Sequence, residues 1–387
     1  VTVGETPRVL LAITVYNGRA FVPKCIESAA RLRGRAEYDL DVLVLDDASP
    51  EPGFSDDLLR WCRDAGIDCY RTPRNLGIVR NVNLGLLRAM DGDYDFVIIA
   101  NSDVVFPSNL ITGMIAIAES DETIGSVTAW STNVSAYSLP NVDPDAYIDE
   151  QVVVDWLSAS LEGEFGHGAM DVPAGISFCI LIPRRVVHDV GIMDPVFGRG
   201  YCEETDWSLR SRARGWRVVL APGVFVYHAG RGSTVEAGLV AGGHSTVPEN
   251  EAVIDLRYPL FRGQVHAFLA SELLPTARRN ASRRIIADAA RQFGWELDLS
   301  WLRPVTGNQH GVRCSCEPSG RQPMVRASFR GFECEVPIEE TDIPGSLLSF
   351  FGSEPSFIGV AERGDVSDRL FAEWGEGVDN YRYPHHV

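Results

Sequence analysis

The sequence predicts an α/β fold, in which a mainly parallel sheet carries helices on both faces, joined to a smaller C-terminal α+β region. From Arg8 onward, short β-branched runs alternate with longer amphipathic ones, the pattern of strand–helix units. The short runs are apolar along their length, which suits strands buried within a sheet. From about Leu260 the pattern changes to an Arg-rich helical stretch followed by strand-like pieces punctuated by Pro and Gly.

Taken in order, VLLAITVY, DVLVLDD and DFVIIAN read as buried strands. Between them, FVPKCIESAARLRG, FSDDLLRWCRDAG and GIVRNVNLGLLRAM place apolar residues at helical spacing. The first two end in Gly, where a left-handed cap is cheap. Further strands are expected at SVTAW, SFCILIP and the pair RVVLAP and VFVYH, with the helix EETDWSLRSRARG ahead of that pair. The stretch from Ser131 to Asp171 reads as loops. After His228, GRGSTVEAGLVAGGHSTVPEN, about residues 229–250, reads as a mobile Gly-rich loop beside the strand ends, of the kind that closes over a ligand. LLPTARRNASRRIIADAARQF reads as a helix. The expected division is 1–259 for the main domain and 260–387 for the extension.

With 45% hydrophobic and 23% charged residues over 387 positions, the chain has a globular profile. Its net charge of -18 argues against nucleic acid as a partner, because phosphate backbones are held by clustered Lys and Arg. No apolar run reaches the ~18 residues that a membrane span needs, and a cytoplasmic location is expected. Most of the eight Cys are scattered inside apolar segments, as small buried hydrophobes are. His310, Cys314, Cys316 and Cys334 offer four zinc ligands, but their Cys-x-Cys spacing is tighter than structural zinc sites use. Arg278, Arg279, Arg283, Arg284 and Arg291 suit either a solvated helix face or an anionic surface; peripheral membrane contact and homodimer contact by the C-terminal region are both open.

In open α/β sheets, ligands bind beyond the carboxyl ends of the strands. Four clusters stand there. Thr14, Tyr16 and Asn17 close the first strand, and Asp46 and Asp47 the second; a ring that stacks and carboxylates that accept from base or ribose suit a nucleoside, although Asp-Asp-Ala-Ser-Pro is also an ordinary turn. Asn101, Ser102 and Asp103 close the third, where a carboxylate is placed to bind a divalent cation. Glu203, Glu204 and Asp206 begin a helix that ends in Arg210, Arg212 and Arg214, an arrangement that also complements the helix dipole. His228 ends the VFVYH strand, either as a structural residue or as a metal ligand. The G-x-G-x-x-G fingerprint of dehydrogenases is missing after the first strand, where the chain has VYNGRAF.

The pieces TVYNGRAFVPKCIESA, VLVLDDAS, RNLGIVRNVNLGL, ANSDVVFP, the long VPAGISFCILIPRRVVHDVGIMDPVFGRGYCEETDWSLRSRARGW and VYHAGRGST follow one another in this order. In them the chain, from about Arg8 to about Ser233, resembles the family 2 glycosyltransferases of the GT-A fold, which is Rossmann-like. The resemblance implies that Thr14, Tyr16 and Asp47 hold the base and ribose of a nucleotide diphosphate sugar, with Asn17, Asp46, Asn75, Asn101 and Ser102 near it. A UDP- or dTDP-sugar is the favoured donor, and a glycan, glycolipid or small molecule the acceptor. It implies that Asp103, the last Asp of the family's DxD motif, and His228 hold Mn²⁺ or Mg²⁺. It implies that Glu204, in an acidic pair with Glu203 and near Asp206, is the catalytic base of an inverting transfer; a retaining transferase and a non-catalytic nucleotide-sugar binder are the rival readings. The chain departs from the family in having Glu203-Glu204 for Glu-Asp, and Asn101-Ser102-Asp103 for Asp-x-Asp, which removes one carboxylate from the metal site.

Overall fold

The first strand, β1 (Arg8–Val15), is apolar at almost every position, and every residue from Val9 to Val15 is buried. It lies parallel to β2 (Asp39–Asp46) on one side and to β4 (Phe96–Asn101) on the other, with α1 (Val22–Arg31), α2 (Phe54–Ala65) and α3 (Ile78–Asp91) as the connecting helices and β3 (Asp68–Arg71) at the edge. This computed structural model describes residues 6–140, 149–230, 240–241, 244–245, 247–298, 311–317, 324–339, 342–360, 374 and 379–382. Helix α2 ends at Gly66 with φ 65°, the left-handed cap expected there, whereas α1 is capped by the right-handed Leu32 ahead of its Gly34.

The sheet continues through β5 (Val104–Val105), α4 (Leu110–Ser120), β6 (Ile124–Ser131), α5 (Gln151–Phe165), β7 (Met170–Asp171), β8 (Cys179–Pro183), α6 (Arg184–Val190), α7 (Glu203–Ala213) and β9 (Arg217–His228). Its order is β3-β2-β1-β4-β8-β6-β9-β5, with β7 beside β9. β8, β7 and β5 run antiparallel to their neighbours, and the rest are parallel. The mainly parallel sheet with helices is the predicted fold. The chain reverses its direction of strand addition at β1 and β4, so a crevice opens beyond their carboxyl ends.

Three details differ from the expectation. RVVLAP and VFVYH are one 12-residue strand, β9. Its pairing with β6 jumps between Ala129↔Ala221 and Trp130↔Phe225, so Pro222 and Gly223 sit in an irregularity where a missing N–H is tolerated. The supposed loop after Ser131 contains helix α5, which buries Val154, Leu157 and Leu161 at helical spacing behind a β-branched start. Helix α4 is apolar nearly all round, with seven buried residues, and so shows little of the one-faced periodicity that reveals surface helices.

Packing of α3 on the sheet is close enough to require glycine. A Cβ on Gly85 would come within 2.7 Å of the Ala12 Cβ and 3.1 Å of Ile99 Cδ1. The core between them includes Leu10, Leu45, Val82, Leu86, Val97 and Ile182.

The chain divides after Leu274 into two units. To the first belong the short pair β10 (Val240–Ala241) and β11 (His244–Ser245) and the helices α8 (Val247–Arg257) and α9 (Phe261–Leu269). Otherwise the expected Gly-rich loop lies mainly outside the described residues. The second unit is α10 (Leu273–Phe293) with β12 (Trp295–Asp298), β13 (Val312–Glu317), β14 (Met324–Phe329), β15 (Phe332–Val336), α11 (Ile343–Phe351), β16 (Phe357–Val360) and β17 (Asp379–Arg382), the strands forming a mixed sheet. Trp295 anchors its core, stacked 4.2 Å from Phe351. On α10, Arg284 and Arg291 both pair with Asp288, at 2.7 and 2.8 Å. Cys314 and Cys334 stand one strand apart, each paired with Ala327 of β14; His310 lies outside the described residues, and no group of three or more metal-ligating side chains occurs among those described. No described helix is long and apolar enough to cross a membrane.

Candidate active site

A cavity of about 480 Å³ opens at the carboxyl edge of the sheet. Strand direction explains its lining. The ends of β1, β4, β6 and β9 deliver Thr14 to Tyr16, Asn101 and Ser102, Asn133 and Val134, and His228, while the start of β8 delivers Ser177 and Phe178. The register pairs Thr14 directly with Asn101. Of the sequence candidates, Thr14, Tyr16, Asp47, Asn75, Asn101, Ser102, Glu203, Glu204 and His228 line this one cavity.

Asp47 is buried and fully engaged. Its Oδ1 accepts from the Leu76 amide at 2.7 Å and from Thr72 Oγ1 at 3.2 Å, and its Oδ2 from the Gly77 amide at 2.8 Å. It therefore pins the turn that leads into α3. Asn75, exposed at the rim, accepts from the same Gly77 amide at 3.0 Å.

Asp46, Asn17 and Asp206 do not line the cavity. Asp46 faces the turn behind it, where it accepts from the Ser49 amide at 3.0 Å and pairs with Arg71. Asn17, at φ 55°, receives the Glu51 amide at 3.3 Å. Asp206 is fully buried and holds Arg210 and Arg257, each at 2.8 Å, and the Tyr258 hydroxyl at 2.9 Å. All three serve the framework around the cavity.

Asp103 lies just behind the lining. β5 pairs with β9 so that Val104 faces His228, which brings Asp103 Oδ1 within 3.3 Å of His228 Nε2. On the other ring nitrogen, Nδ1 lies 3.0 Å from the Asn133 carbonyl, an acceptor that requires a donor. With that tautomer the Nε2 lone pair faces the Asp103 carboxylate, and Asn101 Nδ2 stands 3.3 Å away. An imidazole nitrogen and a carboxylate turned toward each other suit a cation between them, either a proton or a metal ion. Burial works to lower the His228 pKa, but the Asp103 charge, the contact with it and the Asn133 carbonyl more than offset this and raise it. The imidazole and carboxylate thus fit a divalent ion that takes mixed nitrogen and oxygen ligands, with Phe178 packed on the ring at 5.2 Å.

Glu203 and Glu204 occupy the first turn of α7. Burial pushes both carboxyls up; the neighbouring Glu204 charge drives Glu203 well above the ordinary range. Of the two, Glu203 is held the higher. One oxygen of each, Oε2, is buried without a hydrogen-bond partner among the described residues.

Sequence reasoning missed Asn81, Asn133, Phe178, Arg199 and Tyr201, which also line the cavity. Asn81 had a signal, a polar residue on the buried face of α3, where its amide donates to the Leu45 carbonyl at 2.8 Å. Arg199 and Tyr201 come from a loop whose path the sequence does not expose.

Residues 11–190 match the model of the family described as Glycosyl transferase family 2. Solved structures similar to the chain include that of GalNAc-T7 with UDP, GalNAc and Mn2+ (13% identity over 68% of this chain and 50% of that one, TM-score 0.49). Others are the mannosyltransferase PcManGT from Pyrobaculum calidifontis with GDP-Man and Mn2+ (17%, 74% and 76%, TM-score 0.46) and TarS from S. aureus (12%, 74% and 43%, TM-score 0.43). The chain thus spans half the length of the first of these and less than half of the TarS chain. No curated protein matches it.

Proposed function

We propose, from the match of residues 11–190 to the family 2 glycosyltransferase model, that the chain moves a sugar from a nucleotide diphosphate sugar to an acceptor hydroxyl, with inversion and with Glu204 as general base. The observation that carries this reading is the placement of two chemistries on one cavity: an acidic pair at the start of α7, and the Asp103–His228 pair just behind the ends of β4 and β9.

Thr14, Tyr16 and Asp47 at the ends of β1 and β2 would receive the nucleoside, with Asn75 at the rim. Because Asp47 already accepts three hydrogen bonds, its contribution to a ribose or base is a shared lone pair and a rigid turn. Asp103 and His228 would hold Mn²⁺ or Mg²⁺, and their imidazole favours Mn²⁺. When bound, the ion supplies charge neutralisation to the departing diphosphate.

Glu204 is the residue whose protonation suits a base. Burial raises its proton affinity, and Glu203 beside it is held higher still. It takes the proton of the acceptor hydroxyl as that oxygen bonds to the anomeric carbon and the bond to the diphosphate oxygen breaks. Glu203, raised well above the ordinary carboxyl range, resists a second negative charge beside it in a buried site.

The test is calorimetric titration of the chain with UDP, GDP, dTDP and CDP, with and without Mn²⁺, repeated with Asp103→Ala. Metal-dependent binding of one nucleotide, lost in the variant, is expected; no binding of any sinks the reading. The anomer of the product then separates inversion from retention. Nucleotide binding with no turnover of any sugar donor would instead favour a non-catalytic binder.

A further inference from the structure

Tyr201 and Cys202, immediately before Glu203, both have φ 71°, the left-handed region that side chains resist. Ahead of them, Gly200 at φ 126° is pressed against α3, where a Cβ would come within 2.3 Å of Ile78 Cγ2. Backbone of this kind persists only where its surroundings over-determine it. Here the restraint comes from α8, some fifty residues later.

Asn250, on the first turn of α8, is buried. Its Nδ2 donates to the carbonyls of Phe197 at 3.1 Å, Gly200 at 2.7 Å and Tyr201 at 3.0 Å. Three acceptors around one nitrogen fix the orientation of the amide. At the other end of the helix, Arg257 and the adjacent Tyr258 bind the buried Asp206, and Arg257 also binds Asp194 at 2.8 Å. α8 thereby grips the chain on both sides of Glu203 and Glu204.

We propose that Asn250 is a positioning residue for sugar transfer, its amide holding the Phe197–Cys202 loop in the strained path that aims Glu203 and Glu204 into the cavity. The inference rests on the reading of Glu204 as the base. A group that only stabilised the fold would lower every property of the protein together; a positioning group lowers turnover while the nucleoside wall, formed by β1 and β2, stays intact.

The experiment uses the full chain with Asn250→Ala, Asn250→Ser, Asn250→Asp and the double variant Asn250→Ala/Cys202→Gly. It measures kcat and KM for the nucleotide sugar that the wild type turns over, nucleotide affinity by calorimetry, and amide hydrogen exchange over residues 197–206. Asn250→Ala is expected to lower kcat about 10–100-fold, the range a misplaced catalytic group gives, with donor KM and nucleotide affinity within about twofold and faster exchange confined to residues 197–206. Asn250→Ser, which retains one donor, should fall between, and it keeps the test open if the alanine variant does not fold. Asn250→Asp, which sets a carboxylate against three carbonyls, should be the most impaired. Cys202→Gly should restore part of the loss, since glycine takes φ 71° without strain. Unchanged kcat and exchange in Asn250→Ala overturn the proposal, as does a joint fall of kcat, nucleotide affinity and thermal midpoint without rescue. A wild type that transfers no sugar defeats the functional reading separately; exchange over 197–206 then decides alone whether Asn250 holds the loop.

Discussion

Thr14 and Asn101 stand on neighbouring parallel strands in unbroken register, and Asp47 follows β2 directly. Glu203 and Glu204, on the same cavity, follow a loop in which Gly198, Gly200, Tyr201 and Cys202 all have positive φ. The first wall is fixed by ladder hydrogen bonds and a turn pinned by Asp47, all formed between Arg8 and Asn101. The second depends on Asn250, Arg257 and Tyr258, brought in by a helix that follows β9. One cavity therefore combines a wall held by ladder hydrogen bonds, suited to a constant group such as a nucleotide, with a strained wall whose geometry depends on a segment later in the chain. That division places the strain next to the groups assigned to proton transfer.

The largest expected effect that separates the two walls is Glu204→Gln. It should lower kcat about 10²–10⁴-fold, the range for loss of a general base, with nucleotide affinity unchanged; equal loss of nucleotide binding would show that the walls are not independent. Next is Asp206→Asn, which leaves Arg210 and Arg257 short of a partner charge. Because Arg257 keeps Asp194 and both arginines are partly exposed, a loss of about 1–3 kcal/mol is expected, read as the midpoint in denaturant; a change near zero would mean that the grip of α8 does not run through Asp206.

Gly85→Ala tests the first wall. The added methyl meets Ala12 at 2.7 Å, and about 1–3 kcal/mol of destabilisation is expected from overpacking, with weakened nucleotide binding if β1 shifts. The smallest effect belongs to Glu203→Gln and is a matter of pH. The folded-state pKa of Glu203 lies above its unfolded value. Its contribution to stability is complete below the unfolded pKa and is lost as pH rises toward the raised folded one. The wild type should therefore lose stability relative to the Gln variant by up to roughly 1 kcal/mol per pH unit through that window. Parallel stability curves from pH 4 to 8, measured in denaturant at about one-unit steps, would remove the buried-acid assignment.

Much of this was legible in the sequence because parallel strands and their helices are written as local pattern. VLLAITVY and DFVIIAN need no partner to be recognised, and their carboxyl ends point to Thr14, Asn101 and Asp103. Helices α4 and α5 were missed because an all-round apolar segment and a β-branched start both blur the helical period. Asn250 carried no signal, since an asparagine at a helix start reads as capping or turn chemistry. Asp46 and Asp47 look alike in sequence, yet one turns toward Arg71 and the other toward the cavity and the Gly77 amide.

By itself the sequence determined the strands β1, β2 and β4, the helices α1 to α3 between them and the edge at which the cavity lies, because burial periodicity and strand-end polarity are properties of neighbouring residues. Only the tertiary structure decided which acids line the cavity and which serve the frame, and that Asn250 reaches the loop before Glu203. Those are contacts between residues far apart in the chain, set by strand register and helix docking.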